Sequence, residues 1–144
     1  MAIELIGVQA EQLPLVWEQV APLLEKVFAH SNGEHTLETI YPLLANRDAQ
    51  LWIGCDKEIV HAGLTQVITF KTGKQIVEIF FLGGERMDEW LPHIDIIEKW
   101  AKQIGCSEVR ISGRKGWEKV MKEYKPIYTT LSKKIQTDVH GGVN

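Results

Sequence analysis

The run Ile76-Val77-Glu78-Ile79-Phe80-Phe81-Leu82 is apolar at every position except Glu78. β-Branched and aromatic side chains dominate it, which favours a strand over a helix. A strand with apolar residues at odd and even positions has no solvent face, so it belongs inside a sheet covered by helices on both sides. Gly83-Gly84 ends the run. Trp90, Ile94, Ile97, Ala101 and Ile104 then recur at the spacing of one helical face, and Gly105 supplies the stop. The centre of the chain therefore reads as a buried strand, a glycine turn and an amphipathic helix over 90–104.

The flanks extend this pattern. A short strand is expected over 2–8. Leu13, Val16, Trp17, Val20, Leu24 and Val27 mark a helix over 13–28, with Pro14 in its first turn and Pro22 expected to kink or split it. A loop follows over 30–35, and Thr36 is a candidate N-cap for a helix to 45 that contains Pro42. Strands are expected over 50–55, 59–70 and 75–82, joined by turns at Asp56-Lys57 and Thr72-Gly73-Lys74. A strand over 108–112 leads into Gly113-Arg114-Lys115-Gly116, then a short helix carrying Trp117, Val120, Met121 and Tyr124. Pro126 stops that helix, and a final strand is expected over 127–135. The fold class is α/β (α+β): one domain over 1–135 with a central mixed sheet of about six strands and four flanking helices. Residues 136–144 are expected to be a flexible tail.

Charge and composition narrow the function classes. The net charge of −3 does not suit a general nucleic-acid binder, which needs clustered Lys and Arg. Cys55 and Cys106 lack CxxC spacing, and the five histidines show no metal-ligand spacing, so no metal is expected. His61 falls on a strand, as a satisfied core or sheet residue. No stretch approaches the roughly 20 apolar residues of a membrane helix. The N-terminus has no signal-peptide pattern. The expectation is a cytoplasmic protein with no membrane association.

The order of elements resembles the GNAT superfamily of N-acyltransferases over about 2–135. Four stretches are similar to small GNAT-like proteins of tailed bacteriophages and prophages. These are Arg47-Asp48-Ala49-Gln50-Leu51-Trp52, Leu82-Gly83-Gly84 with Glu89-Trp90-Leu91, Ile97-Glu98-Lys99-Trp100-Ala101 with Gly105-Cys106, and Gly113-Arg114-Lys115-Gly116-Trp117. The resemblance implies a GNAT fold, acetyl-CoA as acyl donor, a small amine or a protein as acceptor, and a bacterial host cytoplasm. A homodimer is compatible with it.

In the family, the turn after the central strand reads Q/R-x-x-G-x-G/A and holds the acyl-CoA pyrophosphate on backbone N–H groups at a helix start. The matching stretch is Gly83-Gly84-Glu85-Arg86-Met87-Asp88-Glu89-Trp90. The resemblance thus assigns cofactor binding to Leu82, Gly83, Gly84 and Arg86. Glu85, Asp88 and Glu89, however, put carboxylates where the pyrophosphate would sit, and Asp88 has the character of an N-cap. An altered acyl-CoA site and a plain capped helix start both remain open. Arg114 and Lys115 form a second candidate anion site, or a solvated turn.

Glu78 is the candidate general base, since a buried carboxylate has its pKa raised by desolvation. The alternative is a structural ion pair with Arg110 or Lys71. The family's general-acid tyrosine is matched by Trp117, whose indole cannot supply a proton. Tyr124 and Tyr128 have the right chemistry further on. Tyr124 is the candidate acid, with core packing beside Trp117 and Met121 as its alternative. Two functions follow: an acyl-CoA-dependent N-acyltransferase, or a non-catalytic phage morphogenesis or host-interaction protein that keeps the fold. In the second, Trp52, Trp90 and Trp117 serve as packing or interface anchors.

Overall fold

The computed structural model describes residues 3–29, 33–84, 86–112 and 120–136. In chain order the elements are β1 (Glu4–Val8), α1 (Leu13–Phe28), α2 (Leu37–Ala45), β2 (Gln50–Asp56), β3 (Glu58–Thr69), β4 (Gln75–Gly84), α3 (Met87–Trp90), α4 (Ile94–Gln103) and β5 (Glu108–Ile111). The strands form one sheet in the order β1-β2-β3-β4-β5. Neighbours are antiparallel except β4 and β5, which are parallel.

Most boundaries follow from local chemistry. Helix α1 runs through Pro22 without a break. The carbonyl that loses its partner belongs to Glu18, on the exposed face with Pro22, where solvent can reach it. Val20 and Leu24 on the opposite face are fully buried and hold the helix to the sheet. Thr36 caps α2 as expected, its hydroxyl accepting from the Thr39 N–H at 3.2 Å. At the end of α4 the Gly105 N–H bonds the Lys102 carbonyl at 3.1 Å and the Cys106 N–H bonds the Ala101 carbonyl at 2.9 Å. Gly105 has φ 90°, so a glycine closes the helix in a left-handed stop.

Core lies on both faces of the sheet. Leu13, Leu24, Ile40, Leu51, Leu64 and Phe81 belong to the core under α1 and α2. Ile3, Trp52, Val77, Ile79, Trp90 and Ile97 belong to the core under α3 and α4. β4 feeds both because its pairing shifts: Thr65 lies opposite Ile79 but Leu64 lies opposite Phe81, so Phe80 is a bulge. In a regular strand Ile79 and Phe81 would share a face. The bulge turns Phe81 to the α1 side and Leu82 to the α4 side.

Three expectations are corrected. The helix expected over 90–104 is interrupted by a 3-10 turn at Leu91–His93, because Pro92 cannot continue an α-helical ladder. Asp88 lies inside the single turn α3, and so does not cap a longer helix. The final strand expected over 127–135 does not form, leaving a sheet of five strands among the described residues rather than six. Among the described residues no strand pairs with the outer edge of β5, and residues 127–136 enter no regular structure. Of the helix expected around Trp117 to Tyr124, residues 117–119 lie outside the described residues.

Candidate active site

The feature that sets up a site is the parting of β4 from β5. The two pair only over 76–79 on β4, against Glu108–Ile111. The last rung is the Ser112 N–H to the Ile79 carbonyl at 3.0 Å. β4 continues to Gly84, still paired on its other edge with β3. Among the described residues nothing pairs with its main-chain groups over 80–84 on the β5 side, so they border a fork, and the bulge at Phe80 sits at its base. Bulges beside a strand opening re-aim backbone and side-chain groups.

Glu78 stands at the same place. Val77 and Ile79 point into the core under α4, so Glu78 leaves β4 on the opposite face. It is half-buried. Its carboxylate accepts from the Gln66 side-chain amide at 2.8 Å and from the Ser112 hydroxyl. Arg110 is its register neighbour on β5, but the Arg110 guanidinium donates to Glu108 at 2.6 Å and to the Tyr128 hydroxyl at 3.3 Å. The expected ion pair with Arg110 or Lys71 is not formed. Neutral donors hold Glu78 instead.

The turn after β4 has a different character from the one the sequence suggests. Arg86 adopts φ 60° and its guanidinium spans two carboxylates. It donates to Glu89 through Nε at 2.5 Å and Nη2 at 2.7 Å, and to Asp56 at the end of β2 through Nη1 at 2.8 Å. These bonds hold the Asp56 and Glu89 carboxyls below their ordinary range and push the guanidinium higher still. The cation proposed for an anion is thus already compensated. Gly83 and Gly84 have packing reasons of their own. A Cβ at Gly83 would collide with Val27 of α1, and one at Gly84, where φ is 123°, would collide with Val60 and His61. The Leu82 side chain packs in the core under α4.

Tyr124 lies away from Glu78. Its hydroxyl donates to Glu98 of α4 at 2.6 Å, and burial followed by that bond pushes its pKa well up. Glu98 belongs to the helix on the Val77 and Ile79 face, so the structure does not bring Tyr124 and Glu78 together. Tyr128 does approach the Glu78 face through Arg110. Glu85, Arg114, Lys115 and Trp117 lie outside the described residues. No group of three or more His, Cys, Asp or Glu side chains suited to a metal occurs among the described residues. None of the helices described is long and apolar enough to cross a membrane.

The sequence matches no protein-family model, and no curated protein matches it. Solved structures do match its shape over nearly its whole length. A ribosomal-protein-alanine N-acetyltransferase from Brucella melitensis is similar with a TM-score of 0.68 at 14% identity, covering 95% of this chain and 100% of that one. An aminoglycoside acetyltransferase from an uncultured soil metagenomic sample, in complex with trehalose, is similar with a TM-score of 0.65 at 16% identity, covering 95% and 96%. A predicted acetyltransferase with acetyl-CoA from Clostridium acetobutylicum is similar with a TM-score of 0.59 at 14% identity, covering 96% and 97%. The chain has the GNAT acetyltransferase fold.

Within the GNAT fold, some residues around the fork escaped sequence reading. Gln66 and Ser112 are unremarkable in the sequence, and only strand register places them on Glu78. Trp52 and Trp90 are core residues rather than interface anchors: both are buried, and the Trp52 indole donates to Thr65 at 3.0 Å. His61 is buried as expected but not satisfied. Among the described residues neither ring nitrogen has a hydrogen-bond partner, and the same holds for the indole nitrogen of Trp90, whose ring lies 4.5 Å from it. Desolvation lowers the His61 pKa to about 4. Two concavities lie away from the fork, one of about 230 Å³ beside Gln9, Arg47 and Trp100 and an open one of about 570 Å³ beside Cys55 and Lys57.

Proposed function

We propose that this chain is an N-acyltransferase that takes an acyl thioester at the fork between β4 and β5 and delivers the acyl group to an amine. The observation that carries the reading is the main-chain edge over 80–84, unpaired on the β5 side among the described residues, with the Phe80 bulge and Glu78 at its base. Acetyl-CoA, when bound, supplies an activated acyl carbon. The exposed edge suits the amide groups of its pantetheine arm, which can add to a strand edge as another strand would. The phosphate end fits less readily, because Arg86 is shared by Asp56 and Glu89.

What the chain contributes is placement and a proton acceptor. Main-chain N–H groups at the bulge offer donors to a developing oxyanion. Glu78 takes the proton that the attacking amine loses. Gln66 and Ser112 fix its carboxylate, so no reorganisation is needed when the amine arrives. The leaving group is an alkyl thiolate, a far weaker base than an alkoxide or amide anion, and it departs without a dedicated acid, so the reaction does not demand Tyr124. The acceptor is a small amine or a protein amine. The stretches resembling small phage and prophage proteins set the reaction in a bacterial host cytoplasm.

One observation favours a second reading. The Arg86 bridge neutralises the turn that would meet the pyrophosphate, which suits a phage morphogenesis or host-interaction protein that keeps the fold without the cofactor. Calorimetric titration with acetyl-CoA and with free CoA separates the two. Micromolar binding, followed by thiol release when a panel of polyamines, aminoglycosides and N-terminal peptides is added, supports the transferase. No heat at millimolar ligand removes it and leaves the second reading.

A further inference from the structure

The cavity of about 230 Å³ at the β1 edge of the sheet plays no part in the proposed transfer. It opens where Gly7-Val8-Gln9 leaves β1 and Gln50-Leu51-Trp52 enters β2. Two stretches that stand out in the sequence, 47–52 and 97–101, meet in its wall, where Trp52 and Trp100 lie edge to face with ring centroids 5.4 Å apart. Among the described residues that line it, Arg47 is the only charged one. Arg47 follows the last turn of α2 with φ 64°, in a Schellman stop: its N–H bonds the Leu44 carbonyl at 3.2 Å, and the Asp48 N–H bonds the Leu43 carbonyl at 2.8 Å. Glycine fills that left-handed position without strain, whereas arginine does not. A strained residue beside a cavity points to a use for its side chain. The Arg47–Glu11 ion pair at 2.5 Å does not supply that use, because its side chains are 70% and 66% exposed and such pairs contribute little.

We propose that this cavity is a binding site for a small aromatic carboxylate. Hydrogen-bond direction sets the polarity of the site. The Trp52 indole can only donate, and it donates to the Thr65 hydroxyl at 3.0 Å. That hydroxyl in turn donates to the Gln50 side-chain oxygen at 2.9 Å. The Gln50 oxygen is thereby engaged, and its NH2 is the end left to serve a ligand. Gln50 and Arg47 thus both offer donors, which suit the two oxygens of a carboxylate. The incoming carboxylate takes the place of Glu11 on Arg47. Trp52 and Trp100 supply aromatic surface for a ring, and buried Leu13 adds to the apolar wall. The volume lies below the roughly 300–1,000 Å³ of sites for drug-sized ligands, so a single or fused ring fills it. The site uses neither Glu78 nor the fork over 80–84. Its ligand is therefore distinct from the acyl donor, and the site stands whether or not the chain transfers acyl groups.

Benzoate and indole-3-acetate are the probes, with benzyl alcohol and benzylamine as uncharged and cationic counterparts. Added to the isotopically labelled full chain at concentrations on the order of millimolar, the two acids should shift the indole N–H resonances of Trp52 and Trp100 saturably. The counterparts should bind about tenfold more weakly or not at all, since they lack the charge-assisted bond to Arg47. Arg47→Gly should weaken binding of the acids by a similar factor while raising the unfolding midpoint, because glycine relieves the left-handed turn. Gln50→Glu keeps an acceptor for Thr65 but replaces the donor with a negative charge, and should abolish binding of the acids. No saturable shift with either acid, equal binding of benzylamine, or undiminished binding to Arg47→Gly and Gln50→Glu would overturn the inference.

Discussion

Ser112 ties Glu78 to the base of the fork: its hydroxyl donates to the carboxylate while its N–H closes the last β4–β5 rung on Ile79. One residue thus fixes both where the strands part and where the proposed base points. Glu78→Gln keeps the shape and the Gln66 and Ser112 neighbours but cannot accept a proton. Its acyl transfer should fall about a hundredfold or more, with acetyl-CoA affinity unchanged. Ser112→Ala should lower turnover less and alter its pH dependence. Steady-state rates against pH check both. Loss of folding in Glu78→Gln would instead assign Glu78 a structural role.

His61 gives a pH dependence whose sign follows from its burial. Its pKa is about 4 in the fold against an ordinary 6.5, so the unfolded chain binds more protons between those values. Stability is unaffected above about pH 6.5 and falls as pH drops towards 4, by on the order of 3 kcal/mol in all. Urea unfolding at stepped pH should show this fall. His61→Phe, which removes the titrating group, should flatten the curve over that window.

Gly83 answers to α1 as much as to any ligand. Gly83→Ala should destabilise the fold by about 1–3 kcal/mol, since the new methyl meets Val27. Val27→Ala in the same chain should recover part of that loss, a non-additivity that thermal unfolding of the two single variants and the double variant measures. Full additivity would place the strain elsewhere.

The Arg86 bridge predicts a gain of function. Glu89→Gln leaves Arg86 bound to Asp56 but removes one compensating charge, so the turn becomes more attractive to phosphate. Acetyl-CoA affinity should rise several-fold, and more at low salt. Titrations of wild type and variant at two ionic strengths check it.

How legible the fold was depended on the range of the interactions. The central strand and both helical stripes were readable because alternation and helical periodicity are written in consecutive residues, and α1 occupies the expected 13–28 span. The Phe80 bulge was not, since it is a property of register against β3 rather than of β4 alone. The same holds for Arg86, whose partner Asp56 lies on another strand, and for Glu78, whose neighbours Gln66 and Ser112 carry no signal of their own. Residues 127–135 have the composition of a strand, yet they enter no regular structure, because composition alone does not determine pairing. The apolar spacing over 90–104 continues across Pro92, so the stripe alone does not show the 3-10 turn at Leu91–His93.

The amide resonances of residues 80–84 test the account most directly. Acetyl-CoA added to isotopically labelled protein should shift the backbone amides of that stretch and slow their exchange, with smaller effects on β1 and β2. Unchanged amides over 80–84 at millimolar acetyl-CoA would contradict the claim that the fork between β4 and β5 receives the acyl donor.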